Sequence, residues 1–386
     1  MKRLAAVLGA VALVAACSRG TTVHQSTPTT TGPTASTPAT GPGSTLPGPA
    51  GQPLDIYAAD RPGALSPAVD GQITRVYVPN SDGDTLDQID PATMKIVQHD
   101  AVGKLPQHVV PSWDLQTLYV ANDLGNSLTP IDPRTGKLGT PIPVDDPYNL
   151  YFTPDGPSAI VVAEKLARLD FRDPHTFALK TSLHVPCKGV DHLDFSADLT
   201  FLIASCEFAG TLVKVRIDGP DGPRVDGPPI TLKKQAQPQD VKLSPDGKIF
   251  YVADMVSAGV WEIDATTMTI AGFLKTGAGA HGLYVSRDSQ SLYVSNRADG
   301  SISVVDLATR TVRTRWAIPG GSPDMGGVSA DGKTLWLSGR TNSEVYAIDT
   351  TTGALRGRIK VGAGPHGLCI WPQPGRYSLG HTGILR

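Results

Sequence analysis

A short apolar phrase recurs seven times at a nearly fixed step, and no other feature constrains the fold so tightly. Its copies are Val76-Tyr-Val-Pro-Asn80, Leu118-Tyr-Val-Ala-Asn122, Ile160-Val-Val-Ala-Glu164, Leu202-Ile-Ala-Ser-Cys206, Phe250-Tyr-Val-Ala-Asp254, Leu292-Tyr-Val-Ser-Asn296 and Leu335-Trp-Leu-Ser-Gly339. Their last residues step by 42, 42, 42, 48, 42 and 43. A second phrase ending in Asp follows each copy, from Gln88-Ile-Asp90 to Ala347-Ile-Asp349, and turn residues such as Asp132-Pro-Arg-Thr-Gly136 come next. A third phrase is an apolar run closing on a turn, as in Val241-Lys-Leu-Ser-Pro-Asp-Gly247. Each unit therefore holds about four short β-branched or aromatic strands punctuated by Gly, Asp, Asn and Pro. No segment of useful length carries a helical period. One such unit cannot cover both faces of its own sheet, so the repeat must stack; seven four-stranded units make an all-β, seven-bladed β-propeller.

The strand count also predicts how the ring closes. The first unit lacks a well-formed inner strand, which Gly63-Ala-Leu-Ser-Pro67 only imitates, whereas the chain ends with a spare one, Pro365-His-Gly-Leu-Cys-Ile-Trp371. The C-terminal strand is expected to complete the first blade.

The three phrases resemble the YVTN-repeat family of seven-bladed propellers, and the resemblance spans all seven units. Blade 3 departs at a shortened loop, Glu164-Lys-Leu-Ala167, and blade 4 carries an insertion between Gly219 and Pro229. The Ala-, Gly-, Pro- and Thr-rich composition resembles actinobacterial YVTN lipoproteins, which implies a compartment but no reaction.

At the N-terminus, Lys2 and Arg3 precede an apolar run, Leu4 to Ala16, too short to span a bilayer comfortably. Residues 1–16 read as a signal peptide, and Val14-Ala-Ala-Cys17 resembles the bacterial lipobox, which implies lipidation of Cys17 and anchoring to the outer face of the cell membrane. Residues 17–52 are almost entirely Thr, Pro, Gly, Ser and Ala and read as a disordered tether, too poor in apolar surface to offset its ordering entropy. Residues 53–386 are the propeller, expected to be monomeric. With 36 acidic against 34 basic residues, two of the latter in the signal peptide, the chain has no basic face for nucleic acid.

Cys187 precedes the inner strand of blade 4 and Cys206 ends the next, antiparallel strand, so the two are expected to form a disulfide. Cys369 is expected as a buried thiol.

Aligning the inner strands on their closing turns gives the pairs Gln107-His108, Tyr148-Asn149, Asp191-His192, Gln239-Asp240, His281-Gly282, Asp324-Met325 and His366-Gly367. His108, Asp191, His192, Asp240, His281, Asp324 and His366 thus fall on one annulus at the channel mouth. Imidazoles and carboxylates converging there suit a divalent metal, a carboxylate or sugar ligand, or acid–base work. The competing expectation is a solvated annulus whose paired neighbours face different ways, because side chains alternate along a strand. In the tail, Tyr377 and Leu379 are expected to pack on the face opposite the ring, with Arg376 and His381 there as packing or a contact pair.

No motif commits the chain to catalysis. Cys-x-x-Cys-His for haem and Gly-x-Ser-x-Gly for a serine nucleophile are absent. A copper cluster of the nitrous oxide reductase kind would need more ring histidines. Lactonases of sugar metabolism are the nearest enzymatic resemblance, carried by Pro106-Gln-His108, where Gln stands in place of their Arg. The expectation is a non-catalytic module for an envelope protein, glycan or small ligand, with a lactonase-like or metal-dependent hydrolase as the alternative. No cofactor is required, and a divalent metal is one candidate occupant.

Overall fold

The computed structural model describes residues 54–386; the expected signal peptide, Cys17 and the whole of the expected tether lie outside the described residues. Seven antiparallel sheets follow one another along the chain, each built on one copy of the repeat. Blade 6 shows the construction: Ala280–Val285 lies innermost, then Ser291–Asn296, Ser301–Asp306 and Thr311–Ala317. The recurring phrase is always the second strand. It is buried from end to end in blade 6 and in most of the others because neighbouring blades cover both faces of its sheet. That is why it reads as an unbroken apolar run rather than an alternation. The outermost strand, Thr-Val-Arg-Thr-Arg-Trp-Ala in blade 6, is almost wholly exposed and correspondingly polar.

The turn residues act as their chemistry suggests. Asp264 ends the third strand of blade 5 and accepts the N–H groups of Thr266 (2.9 Å) and Thr267 (2.7 Å). These bonds favour the charged carboxylate and hold it below its ordinary range. In the inner-strand turn of the same blade, Ser244 donates its hydroxyl to Asp246 (2.6 Å) and accepts from the N–H of Ile249 (3.0 Å). Asn296 ties its strand to the next by donating to Ser301 and Ser303 (3.1 Å each).

Cys369–Trp371 pairs antiparallel with Arg75–Asn80, matching Val76 to Ile370, so the end of the chain supplies the innermost strand of blade 1. Gly63–Pro67 forms no strand. It precedes a single 3-10 turn, Pro67–Val69, and Leu65 bridges to Gly375. The insertion in blade 4 splits its outer edge into Arg224–Val225 and Ile230–Thr231, both paired with Thr211–Arg216. Cys187 and Cys206 are disulfide-bonded with Cα atoms 5.9 Å apart, and Cys369 is a buried free thiol.

The tail corrects the expectation from sequence. Tyr377 does stay at the end of the channel opposite the ring, stacked on Trp113 at 5.7 Å. Beyond it the chain climbs into the channel as a hairpin, Ser378–Gly380 pairing with Ile384–Leu385 and lying beside Asn149–Phe152 of blade 3. Ser378 Oγ donates to Pro111 O (3.1 Å) in blade 2, and His381 N–H donates to Leu150 O (2.8 Å) in blade 3. Arg386 Nη2 donates to Asp194 Oδ1 (3.1 Å) in blade 4, and Thr382 Oγ1 to Gly326 O (3.0 Å) in blade 7. A segment that reaches inner strands around the ring in this way must lie on the axis. The reason is packing: Leu379, Ile384 and Leu385 are apolar and find in the channel the burial that a surface would deny them. Gly380, at φ +107°, permits the approach, because a Cβ there would lie 2.4 Å from Tyr151 Cα.

Candidate functional site

The site arises from one backbone irregularity repeated around the ring. In blades 2, 4, 5, 6 and 7 the register between inner and second strand slips at the start of the inner strand: Val190 faces Cys206, but Leu193 already faces Ala204. The bulge frees backbone N–H groups from the ladder and re-aims the side chains. Serines of the second strand catch one freed group, as Ser205 does for His192 N–H (3.0 Å) and Ser295 for Gly282 N–H (2.8 Å). The preceding blade catches the next one: Tyr151 Oη accepts from Leu193 N–H (3.1 Å) and Asp240 Oδ2 from Leu283 N–H (2.9 Å). Simple alternation would have turned consecutive residues to opposite sides. The bulge brings both tiers of the predicted annulus, such as His281 above and His192 below, into one cluster.

His108, His192, His281 and His366 do converge, and all are buried. Ring centroids stand 5.3 Å apart for His108–His192, 4.9 Å for His108–His366 and 5.8 Å for His281–His366. A fifth imidazole joins them. His381, at the tip of the C-terminal hairpin, lies 4.9 Å from His192 and 5.2 Å from His108. Its Nδ1 is held by the Asn149 amide at 3.0 Å. Sequence reasoning placed His381 on the opposite face; the small residues around it in Gly380-His-Thr-Gly383 were the signal that it could enter a narrow space.

Two compact groups of donors stand out among the described residues: His108 with His192 and His381, and His281 with Asp324 and His366, each with its ligand atoms within 4.8 Å of one another. Their electrostatics differ. Asp324 accepts from Arg297 Nε at 2.9 Å, so one carboxylate oxygen already faces a cation, while His281 Nδ1 lies 3.2 Å from the same oxygen. No arginine or lysine donates to the first group, in which His192, beside Asp191, is the member that favours the charged form. Both ring nitrogens of His108 and of His192 lack a hydrogen-bond partner, as does Nε2 of His381. Asp191 Oδ1 sits 2.9 Å from His192 Nδ1 but off the direction of the N–H, which makes the contact an ion pair rather than a hydrogen bond.

Burial lowers the basicity of His108, His281, His366 and His381 well below the ordinary histidine range, and neighbouring positive groups add to it. His192 feels the same burial, but Asp191 beside it more than reverses the effect and raises it. Asp240 is placed differently from the rest. Its carboxylate accepts N–H groups of Val241 and Leu283 (2.9 Å each) and stitches blade 5 to blade 6, with His381 Nε2 at 3.8 Å. Five further charged residues directly follow second strands: Asp123, Glu164 and Glu207 on blades 2, 3 and 4, Arg297 and Arg340 on blades 6 and 7. Burial, with Asp191 and Glu207 nearby, pushes Glu164 up to about 8, and burial with Asp191 pushes Glu207 up to about 7. His99, His175 and His184 lie on outer strands and loops, away from the cluster.

Comparison with known proteins places the fold. A functionally unknown protein from Desulfotomaculum acetoxidans DSM 771 aligns with a TM-score of 0.66 at 16% identity, over 77% of this chain and 99% of its own. The periplasmic gluconolactonase PpgL of Pseudomonas aeruginosa aligns at 0.63 and 19% identity, over 78% and 99%. Hydrazine synthase of Kuenenia stuttgartiensis aligns at 0.58 and 18%, over 75% and 93%. At these identities the likeness is one of fold. No curated protein matches the sequence. The family model for YNCE-like β-propellers matches residues 62–374, which takes in all seven blades and the strand that closes them, and the chain belongs to that family.

Proposed function

We propose that this protein is an exported, lipid-anchored binding module that takes a small polar ligand into a cup at the mouth of its propeller channel. The observation that carries the reading is a cluster of buried polar side chains on the channel axis. It gathers imidazoles and carboxylates, His381 of the C-terminal hairpin among them, several without hydrogen-bond partners. Each buried polar atom left unpaired costs about 1–3 kcal/mol, a large sum against a typical stability of about 5–15 kcal/mol. A ligand that satisfies these atoms recovers that cost on binding. Five blades with hydrogen-bonded, bulged inner strands keep the ring fixed, so recognition needs little reorganisation. The anchor follows from Cys17 and the tether, which hold the disc at the membrane surface.

The test is a thermal-melt panel on the purified full chain with sugar acids and lactones, dicarboxylates and divalent cations. At a hundredfold excess over its Kd, a true ligand adds about 2.7 kcal/mol and raises Tm by a few degrees, and the rise is lost in His281→Ala and His108→Ala. A panel that leaves Tm unmoved overturns the reading. Incorporation of labelled palmitate in cells, absent from Cys17→Ala, checks the anchor.

A second reading is a lactonase-like hydrolase. Glu164 and Glu207, poised near neutrality beside Asp191, favour it, since a carboxyl near pH 7 can both take and return a proton. Lactone hydrolysis above the spontaneous rate, abolished in Glu207→Gln, would move this reading ahead.

A further inference from the structure

The geometry points to a transition-metal site formed by His108, His192 and His381, in which the C-terminal hairpin delivers the third ligand. The inference rests on the ligand-cup reading and names the class of ligand: a divalent ion of borderline softness, zinc or copper, which imidazole suits.

Three observations converge. The three residues are all buried, with 0%, 0% and 1% of their surfaces exposed. Their donor atoms lie within 4.8 Å of one another. An ion central to a triangle of that size would stand about 2.8 Å from each nitrogen, so a contraction of under ~1 Å per side chain reaches the usual ~2.0–2.1 Å bond. Finally, each of the three imidazoles keeps a ring nitrogen without a hydrogen-bond partner. Asn149 engages Nδ1 of His381 and leaves Nε2 without a partner, while Asp191 sits against Nδ1 of His192 and leaves its Nε2 without one. A carboxylate behind a metal-bound imidazole fixes the ring and strengthens its donor nitrogen. Asp191 and Asn149 are the positioning residues of the proposed site.

The neighbouring group, His281, Asp324 and His366, is chemically less suited. Arg297 donates to Asp324 from both Nε and Nη2, and a dication there would face a guanidinium across one carboxylate. In the all-imidazole group no guanidinium donates to a ligand, and an ion need only displace the proton that Asp191 favours on His192. Three ligands also leave a fourth coordination position for water or an exchanging ligand.

The experiment loads the purified full chain, stripped with chelator, with zinc, and in parallel with cobalt(II) and copper(II). Zinc titration by calorimetry should give one equivalent. Cobalt should show the visible bands of a four-coordinate nitrogen-rich site, and copper the hyperfine pattern of bound imidazoles. His381→Ala and His108→Ala should weaken zinc at least about 100-fold, and Asp191→Asn about 10-fold or more. His366→Ala should stay within about threefold of the parent. Melts of each apo variant report folding, and the cobalt and copper spectra of the parent chain stand without any variant. Failure to bind any of the three metals overturns the inference. So does a His366→Ala loss equal to that of His381→Ala, which would assign the ion to the other group. If no metal binds yet an organic ligand of the panel raises Tm in a ring-dependent way, the metal fails and the cup stands; if neither does, both fail.

Discussion

Asp60 shows how a single side chain can set the pH response of this fold. It ends the 3-10 turn Ala58–Asp60, is buried beside the tail, and has Arg287 3.8 Å away. Burial, only partly offset by Arg287 and Arg386, pushes its carboxyl up to about 7. A carboxyl that binds its proton more tightly folded than unfolded stabilises the fold at acid pH. That contribution fades as the pH rises from about 4, the unfolded value, through 7. Asp60→Asn should therefore leave stability at pH 4 nearly unchanged and raise it at pH 8 by on the order of 4 kcal/mol, as read from denaturant midpoints. Equal effects at both pH values would show that the residue acts by packing. Gly367 makes a second point at this scale: a Cβ there would lie 2.0 Å from Nδ1 of His108, so the smallest residue on blade 1 makes room for an imidazole from blade 2.

Among the elements, the C-terminal hairpin does two things that separate truncations resolve. Its apolar residues Leu379, Ile384 and Leu385 belong to clusters shared with several blades, and Arg386 pairs with buried Asp194 while its guanidinium lies 4.6 Å from the centre of the Tyr57 ring. A stop after Gln373 keeps the closing strand Cys369–Trp371 but removes the hairpin. It should give a folded β protein of lower Tm that has lost the metal proposed above. Breaking only the ion pair, with Arg386→Ala, should cost about 3–5 kcal/mol because Asp194 is left charged and buried. A stop before Gly364 removes the closing strand as well and exposes the edge of blade 1. That chain should not fold, by circular dichroism and protease resistance; a soluble, stable product would show that closure is dispensable.

For the whole molecule, the blade count, the strand order within each blade and the positions of turns were legible because they are local and repeated. A phrase such as Leu-Tyr-Val-Ser-Asn is apolar throughout because a blade is covered on both faces, and the same covering recurs at every 42-residue step. The disulfide was legible too, because adjacent antiparallel strands bring Cys187 and Cys206 side by side whatever the rest of the ring does. Six of the seven annulus residues read from the alignment lie together at the mouth, whereas Asp240 is committed to backbone N–H groups of its own blade and the next. Two things escaped. The bulge that turns consecutive residues such as Asp191 and His192 into one cluster depends on a register slip against the neighbouring strand, and strand alternation alone predicts the reverse. His381 escaped because its place depends on inner strands of several blades, which no single stretch of sequence contains. The sequence by itself determined an all-β ring of seven blades and the residue types that line its mouth, since these follow from periodicity and burial repeated unit by unit. Only the tertiary structure decided that the tail fills the channel and brings a fifth imidazole to the ring, because that choice is made by packing between segments far apart in the chain, as between Ser378 and Pro111 or His381 and Leu150.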